Sequence, residues 1–213
     1  MLRAHAGLTQ ILLTMEESFT LSHAADNAED FALMARIGAG EHAAFRLLVE
    51  RHQHAVIGTV AKMLGSSNEA QDIAQQVFLR IWRNATNYRP EAKFTTYLFT
   101  ITRHLVFNET RRRKRKQEVS ADEREDQAHQ MLESDPAHQP DAQVLQAELQ
   151  QAVDAAIAAL PEAQRLAVVL RRYEQVSYEE IATVQQLSVA AVKSLLFRAR
   201  TSLRESLRGY LAE

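Results

Sequence analysis

The side chains with the plainest chemistry in this chain are cations set on helical patterns. Toward the C-terminus, Lys193, Arg198, Arg200 and Arg204 stud the segment VAAVKSLLFRARTSLRESL, and in the middle Arg111, Arg112, Arg113, Lys114, Arg115 and Lys116 run unbroken. Guanidinium and ammonium groups displace the counterions condensed on a polyanion and donate to phosphates and guanine edges, so both clusters suit nucleic acid. A solvated charged face, or a helix end whose dipole favours cations, is the other reading of each. Bond-making chemistry has no comparable signature. The chain has no Cys, which removes thiolate nucleophiles, disulfides and thiolate zinc sites together. Neither a glycine-rich phosphate loop nor a G-x-S-x-G elbow occurs, and no set of nucleophile, base and orienting group can be picked out. His52 and His54 are two apart and point to different helix faces, and no H-E-x-x-H spacing exists. The expectation is no enzyme, no catalytic residue, no metal, no cofactor and no small-molecule substrate.

Charge is partitioned along the chain. Lys and Arg outnumber Asp and Glu by 15 to 6 over residues 31–116, and are outnumbered 1 to 9 over residues 117–150. The whole chain of 213 residues carries a net charge of -2, so the total hides a basic block followed by an acidic one. With 46% apolar residues, 6 Gly and 4 Pro, the composition is that of a globular protein rich in helix formers. The apolar stretch from Leu8 to Met15 is far shorter than the roughly 20 residues a membrane helix needs and lacks the flanks of a secretory signal. A cytoplasmic protein with no membrane partner is expected.

The elements that must hold these side chains follow from apolar period and caps. Residues 31–38 have a helical period, and a long amphipathic helix from Glu41 to Leu64 carries Phe45, Leu48, Val49, His52, Val56 and Val60 on one stripe, stopped by Gly65. Asn68, with Gln71 three residues on, reads as the start of the next helix, whose buried stripe is Ile73, Ala74, Val77, Phe78, Ile81 and Trp82. Another helix is expected from Phe94 to about Lys116. Residues 117–140 hold acid, Gln and two Pro with almost no large apolar residue, so they cannot bury enough surface to order themselves and are expected to form a flexible tether. An Ala-rich helix is predicted over 141–160, with Pro161 opening the next, which carries Leu166, Val169 and Leu170. Ser177 and Glu180 form an S-x-x-E capping box for a short helix, and after Leu187 and Ser188 comes the cation-studded one.

That last pair has the form of a helix-turn-helix. In such a unit the second helix enters the major groove, so one face packs on its partner and the other carries donors. Val189, Val192, Leu195, Leu196 and Ala199 supply the packing face, and Lys193, Ser194, Phe197 and Arg198 face outward. The turn has no Gly, unlike the commonest version.

Three segments in order resemble one family. NEAQDIAQQVFLRIWR (68–83), FTTYLFTITRHLVFNETRRRKRK (94–116) and ALPEAQRLAVVLRRYEQVSYEEIATVQQLSVAAVKSLLFRARTSLRE (159–205) are similar to the polymerase-binding helix, the promoter-melting and minus-10 helix, and the minus-35 reader of ECF (extracytoplasmic function) sigma factors, group 4 of the sigma-70 family. The resemblance implies an all-α protein of two helical domains: a region 2 bundle over 28–116 and a region 4 helix-turn-helix domain over 141–213. An acidic flexible linker over 117–140 joins them, behind a poorly ordered N-terminal extension over 1–27. It implies core RNA polymerase and promoter DNA as partners and suits silencing by an anti-sigma factor.

Position by position, Asp72, Gln75, Gln76 and Phe78 fall in the polymerase-binding stretch, although core packing is the other reading of Phe78. The minus-10 element maps to the loop Asn87 to Lys93 and to Tyr97, Thr100, Arg103, His104 and Asn108. There a flipped base needs a polar or aromatic pocket to offset its unstacking. Arg111, Arg112, Arg113 and Arg115 would hold the adjoining backbone. Minus-35 contacts map to Tyr178, Glu179, Lys193, Ser194, Phe197, Arg198 and Arg200. The chain departs from the family pattern at Gln76, where an acid is frequent, at His104, where Asn is common, and at Lys193, where Arg is frequent; Lys lacks the fork that reads guanine. The competing reading is a stand-alone helix-turn-helix regulator that binds DNA without polymerase, which would leave the first two segments unexplained.

Overall fold

A computed structural model describes residues 26–121 and 141–211. Among them are nine α-helices, one short 3-10 turn and no strand. Helix α1 covers residues 26–38, α2 His42–Leu64, α3 Ser67–Asn84 and α4 Phe94–Ala121, with the 3-10 turn Ala85–Asn87 between the last two. Then follow α5 Asp141–Ala159, α6 Glu162–Arg172, α7 Tyr178–Gln185, α8 Val189–Ser206 and α9 Arg208–Leu211.

The first half packs α2 against α3 and lays α4 across both. Leu48, Val56, Val60, Val77, Ile81, Phe94, Leu98 and Val106 are fully enclosed there, and the predicted stripes of α2 and α3 face this core. Gly65 ends α2 in the left-handed conformation that glycine adopts without strain (φ 68°). Gly38 permits a close approach instead: a Cβ there would lie 3.2 Å from the Ala85 carbonyl oxygen. Asn27 reaches across 67 positions of sequence, its Oδ1 accepting from the Phe94 backbone N–H at 2.9 Å, and so caps α4 from α1. Asp30, buried, accepts from His52 Nε2 at 2.9 Å and lies 3.2 Å from Arg51 Nε, fixing α1 on α2.

The second half sets α6, α7 and α8 around Leu166, Val169, Leu170, Ile181 and Val192, with α5 alongside. The expected capping box is present. Ser177 Oγ accepts from the Glu180 N–H at 3.2 Å, and Glu180 Oε2 accepts from the Ser177 N–H at 3.0 Å. Between α7 and α8, Gln186 takes the left-handed conformation (φ 57°, ψ 45°) that a glycine commonly fills in this turn.

The elements differ from the sequence expectations at four boundaries. Helix α3 starts at Ser67 behind Ser66, which makes no side-chain cap, so the Asn68 and Gln71 pair lies inside the first turn. Pro161 is the N-cap of α6, one place before the first turn. Helix α4 runs to Ala121, because Arg, Lys, Gln and Glu are good helix formers and carry it past the cationic block. The expected tether thus overlaps α4 by residues 117–121, and its remainder, 122–140, lies outside the described residues. So does most of the expected N-terminal extension, 1–25; residues 26 and 27 belong to α1.

The halves touch. Helix α7 packs on α4, and α5 and α6 pack on α2. The capping box gives a test of the second half: Ser177→Ala should cost about 0.5–2 kcal/mol, against less than about 0.5 kcal/mol for the exposed Ser202→Ala, read as paired denaturant midpoints.

Candidate nucleic-acid interface

Helix α8 is held by one face and open on the other. Val192, Leu196 and Ala199 are buried and Val189 and Leu195 half-buried, all on the predicted packing side, while Ser188 Oγ caps the start by accepting from the Ala191 N–H at 3.2 Å. Lys193, Ser194, Phe197, Arg198 and Arg200 are exposed and, with Tyr178 from α7, line one shallow hollow of about 440 Å³. Phe197 is 72% exposed, far more than any other large apolar side chain among the described residues. Exposing a phenyl ring to water is unfavourable unless a partner covers it, and a thymine methyl is one such partner in a major groove. Tyr178 stacks under the Arg171 guanidinium at 5.1 Å, and Glu179 is exposed on the first turn of α7.

Helix α4 follows the same logic. Phe94, Leu98, Phe99, Leu105 and Val106 are buried, so Tyr97, Thr100, His104 and Asn108 line up on the other side. His104 and Asn108 are exposed; Tyr97 and Thr100 are half-buried, the Thr100 hydroxyl donating to the Thr96 carbonyl at 2.7 Å. Arg103 stands apart from this row, its guanidinium 5.1 Å over the Phe107 ring. Asn108 also borders a groove between α3 and α4 that Asp72, Gln76 and Arg112 share.

The loop before α4 makes a second hollow of about 280 Å³, lined by Phe31, Met34, Tyr88 and Pro90 among others. It opens between the loop and α1, and no α4 residue lines it. Burial, with Tyr97 and Asp30 nearby, pushes the Tyr88 phenol up to about 12, so it stays a neutral donor at physiological pH. Tyr88 lies in the loop Asn87 to Lys93 expected from the sequence, whereas Phe31 and Met34 of α1 were not among the sequence candidates.

The six-cation block is not uniform. Arg111, Lys114, Arg115 and Lys116 are exposed. Arg112 is bidentate on Glu109, at 2.8 Å for both bonds. Arg113 turns inward, donating to the Leu64 carbonyl at 2.9 Å and pairing with Glu69 and Glu109, so it closes the C-terminal end of α2. The reason is register: two positions from Arg111 the helix has turned about 200°, toward the α2–α3 turn.

On α3, Asp72, Gln75 and Gln76 lie on an exposed outer face that continues through Leu79, Arg80 and Arg83, three residues the sequence reading missed although the 3-4 spacing extends to them. Phe78 is 5% exposed on the opposite face, inside the core, and has almost no surface to offer a partner. That burial is what the packing reading of Phe78 expects. Trp82 is half-buried, stacked on His42 at 4.8 Å and edge-on to Phe45 at 5.1 Å.

An all-helical pair of domains with a helix-turn-helix at one end and a cation-tipped helix at the other defines a DNA-reading protein. The Sigma-70 region 2 family matches residues 48–116 and the Sigma-70 region 4 family matches residues 150–203. The RNA polymerase sigma-H factor of Pseudomonas aeruginosa is 35% identical over 87% of this chain and 97% of its own length. The ECF RNA polymerase sigma-E factor of Escherichia coli K12 is 34% identical over 82% and 92%. The solved sigma factor RpoE of Bartonella quintana, in complex with the anti-sigma factor NepR, shares the fold at a TM-score of 0.61 and 22% identity, covering 77% of this chain and 96% of that one. The chain belongs to the sigma-70 family, in its ECF group, and its function is that of a sigma factor: binding core RNA polymerase and directing promoter recognition, melting and initiation. A stand-alone regulator accounts for the second match and leaves the first without a purpose. No helix among the described residues is long and apolar enough to cross a membrane.

The unequal roles of neighbouring cations are measurable. Arg113→Ala should lower stability by about 1–3 kcal/mol, since it unpairs a carbonyl and two carboxylates, whereas Arg111→Ala should change it by less than about 0.5 kcal/mol. Chemical unfolding of both variants checks this.

Proposed function

We propose that the two matched regions divide the promoter between them. Residues 141–213, the region 4 domain, read the minus-35 element through Lys193, Ser194, Phe197, Arg198 and Arg200, with Tyr178 and Glu179 beside them. Residues 28–116, the region 2 domain, take the minus-10 element with the loop Asn87 to Lys93 and with Tyr97, Thr100, Arg103, His104 and Asn108. Arg111, Arg112 and Arg115 hold the adjoining phosphates; Arg112 trades its Glu109 contact to do so. The outer face of α3, through Asp72, Gln75 and Gln76 and extended by Leu79, Arg80 and Arg83, docks on core polymerase. Residues 117–140 are the acidic linker between the domains.

The observation that carries this reading is the two-faced build of α8: an exposed Phe197 amid four polar or cationic side chains, opposite a fully buried Val192, Leu196 and Ala199. Apolar contact with a thymine methyl and donors for guanine edges is the combination base-edge readout needs. The protein works in the cytoplasm and performs no bond chemistry of its own. An anti-sigma factor is a partner by the same analogy, since the sigma factor of Bartonella quintana is bound to one.

Run-off transcription from a promoter library with core polymerase tests the assignment. Phe197→Ala with Arg198→Ala should reduce use of promoters that depend on the upstream element by about 10- to 100-fold, and His104→Ala should change the preferred downstream base while leaving core binding intact. Unchanged promoter choice in both variants would refute it.

A further inference from the structure

The groove between α3 and α4, about 340 Å³ in volume, carries three carboxylates on its walls, Glu69, Asp72 and Glu109, and two guanidinium groups, Arg80 and Arg112. Helical spacing places them. Leu105 is buried, and Glu109, one turn on, stands at the rim of the core with only 14% of its side chain exposed. Arg112 and Arg113 follow three and four positions later, the spacing at which an acid meets the cations C-terminal to it on one helix face. Glu109 Oε2 accepts from Arg112 Nε and Glu109 Oε1 from Arg112 Nη2, both at 2.8 Å. Oε1 also lies 3.5 Å from Arg113 Nε, and Arg113 pairs with Glu69 as well. Glu69, Glu109, Arg112 and Arg113 therefore form a set with no net charge.

The two cations of this set are not equivalent. Arg113 is committed to structure, since it also holds the Leu64 carbonyl. Arg112 is 67% exposed and belongs to the row assigned to phosphate, yet the edge of its guanidinium that would fork a phosphate is already forked by a carboxylate. A carboxylate fixed in that place imitates the group it competes with. When duplex DNA takes Arg112, one condensed cation leaves the phosphate. The uncovered Glu109 draws one back from solution, so the exchange releases no net ion.

We propose that Glu109 is a positioning residue that holds Arg112 in check, so that a DNA phosphate must displace a carboxylate to reach this cation. The proposal rests on the reading of the cationic block as a phosphate contact. Phosphate contacts fix register and carry no base information, so Glu109 trims the sequence-independent attraction for DNA and leaves base reading by α4 and α8 untouched. Arg113 keeps the Leu64 carbonyl and Glu69 when Glu109 loses its charge, so the tie between α4 and α2 survives the change.

The test is the salt dependence of promoter binding by the complete polymerase complex, on a duplex recovered from the run-off library, between about 50 and about 200 mM salt. Glu109→Gln should tighten binding by about 3- to 5-fold at the low end. The gain should all but vanish at the high end, since a slope steeper by about 0.9 over a fourfold change in salt amounts to about 3.5-fold. Arg112→Gln should weaken binding without flattening the slope, because the pair it breaks releases no net ion. That variant leaves Glu109 in place and so decides the matter even where Glu109→Gln weakens the fold. Glu109→Gln added to Arg112→Gln should bring no gain. Arg111→Gln, at the exposed neighbouring cation, should flatten the slope by about 0.9 and tests the phosphate reading by itself. A flattened slope there, with affinity and slope unmoved by Glu109→Gln, would overturn the proposal and leave that reading standing. A gain from Glu109→Gln that persists beside Arg112→Gln would also overturn it, since the effect would not pass through Arg112. Arg111→Gln and Glu109→Gln both without effect would overturn the two together.

Discussion

A helix that reads DNA must be gripped firmly on one side to be empty on the other, and that constraint organises both halves. Burying a Val or Leu side chain contributes about 1.5–3 kcal/mol. Val192 and Leu196 in α8, and Leu98 and Val106 in α4, therefore fix the rotation of each helix about its axis. The polar faces inherit their direction from that choice. Exposed ion pairs could not set it, since each is worth about 0–1 kcal/mol. Phe197 shows the consequence most clearly, an apolar ring left facing water because Val192, Leu196 and Ala199, on another side of the helix, are committed to the core.

The grip on α4 comes from several directions. Asn27 caps its first turn, His52 packs at 5.1 Å against Phe94, and Arg113 ties its far stretch to the end of α2. Helix α2 is in turn closed at Leu64 by Arg113 and at Met63 by Arg165, so one cation from each half satisfies carbonyls that the helix cannot pair itself. The same terminus therefore couples the downstream reader to the packing of the upstream one. Glu180 belongs to two structures as well. Burial alone would raise its pKa, but the Ser177 N–H and the Lys93 ammonium outweigh that and hold its carboxyl below the usual range, as an ionised acceptor.

Much of this could be read from the chain before its fold was known. The packing face of α8 showed because apolar residues recur at helical spacing, and the Ser177 capping box showed because four adjacent residues decide it. The register of six consecutive cations did not: nothing in RRRKRK distinguishes Arg113 from Arg111 until the α2–α3 turn is placed beside the helix. Gln186 in a left-handed turn is hidden for the opposite reason, since the residue type usually found there is absent and tertiary packing imposes the conformation. Asn27, Asp30 and Arg165 were unreadable because their partners are 67, 22 and 102 positions away. Only the three-dimensional arrangement brings such pairs together. Phe78 shows how one stretch holds both a buried face and an exposed one, which the sequence alone does not sort residue by residue.

The most direct test of a two-reader sigma factor is the register of its contacts on DNA. A photo-crosslinker attached at a cysteine in place of His104, and separately at one in place of Phe197, should label promoter DNA in the polymerase complex at two sites about 25 base pairs, or about 85 Å, apart. Crosslinks from both positions falling within one helical turn, or labelling by the Phe197 position alone with no need for polymerase, would contradict the account.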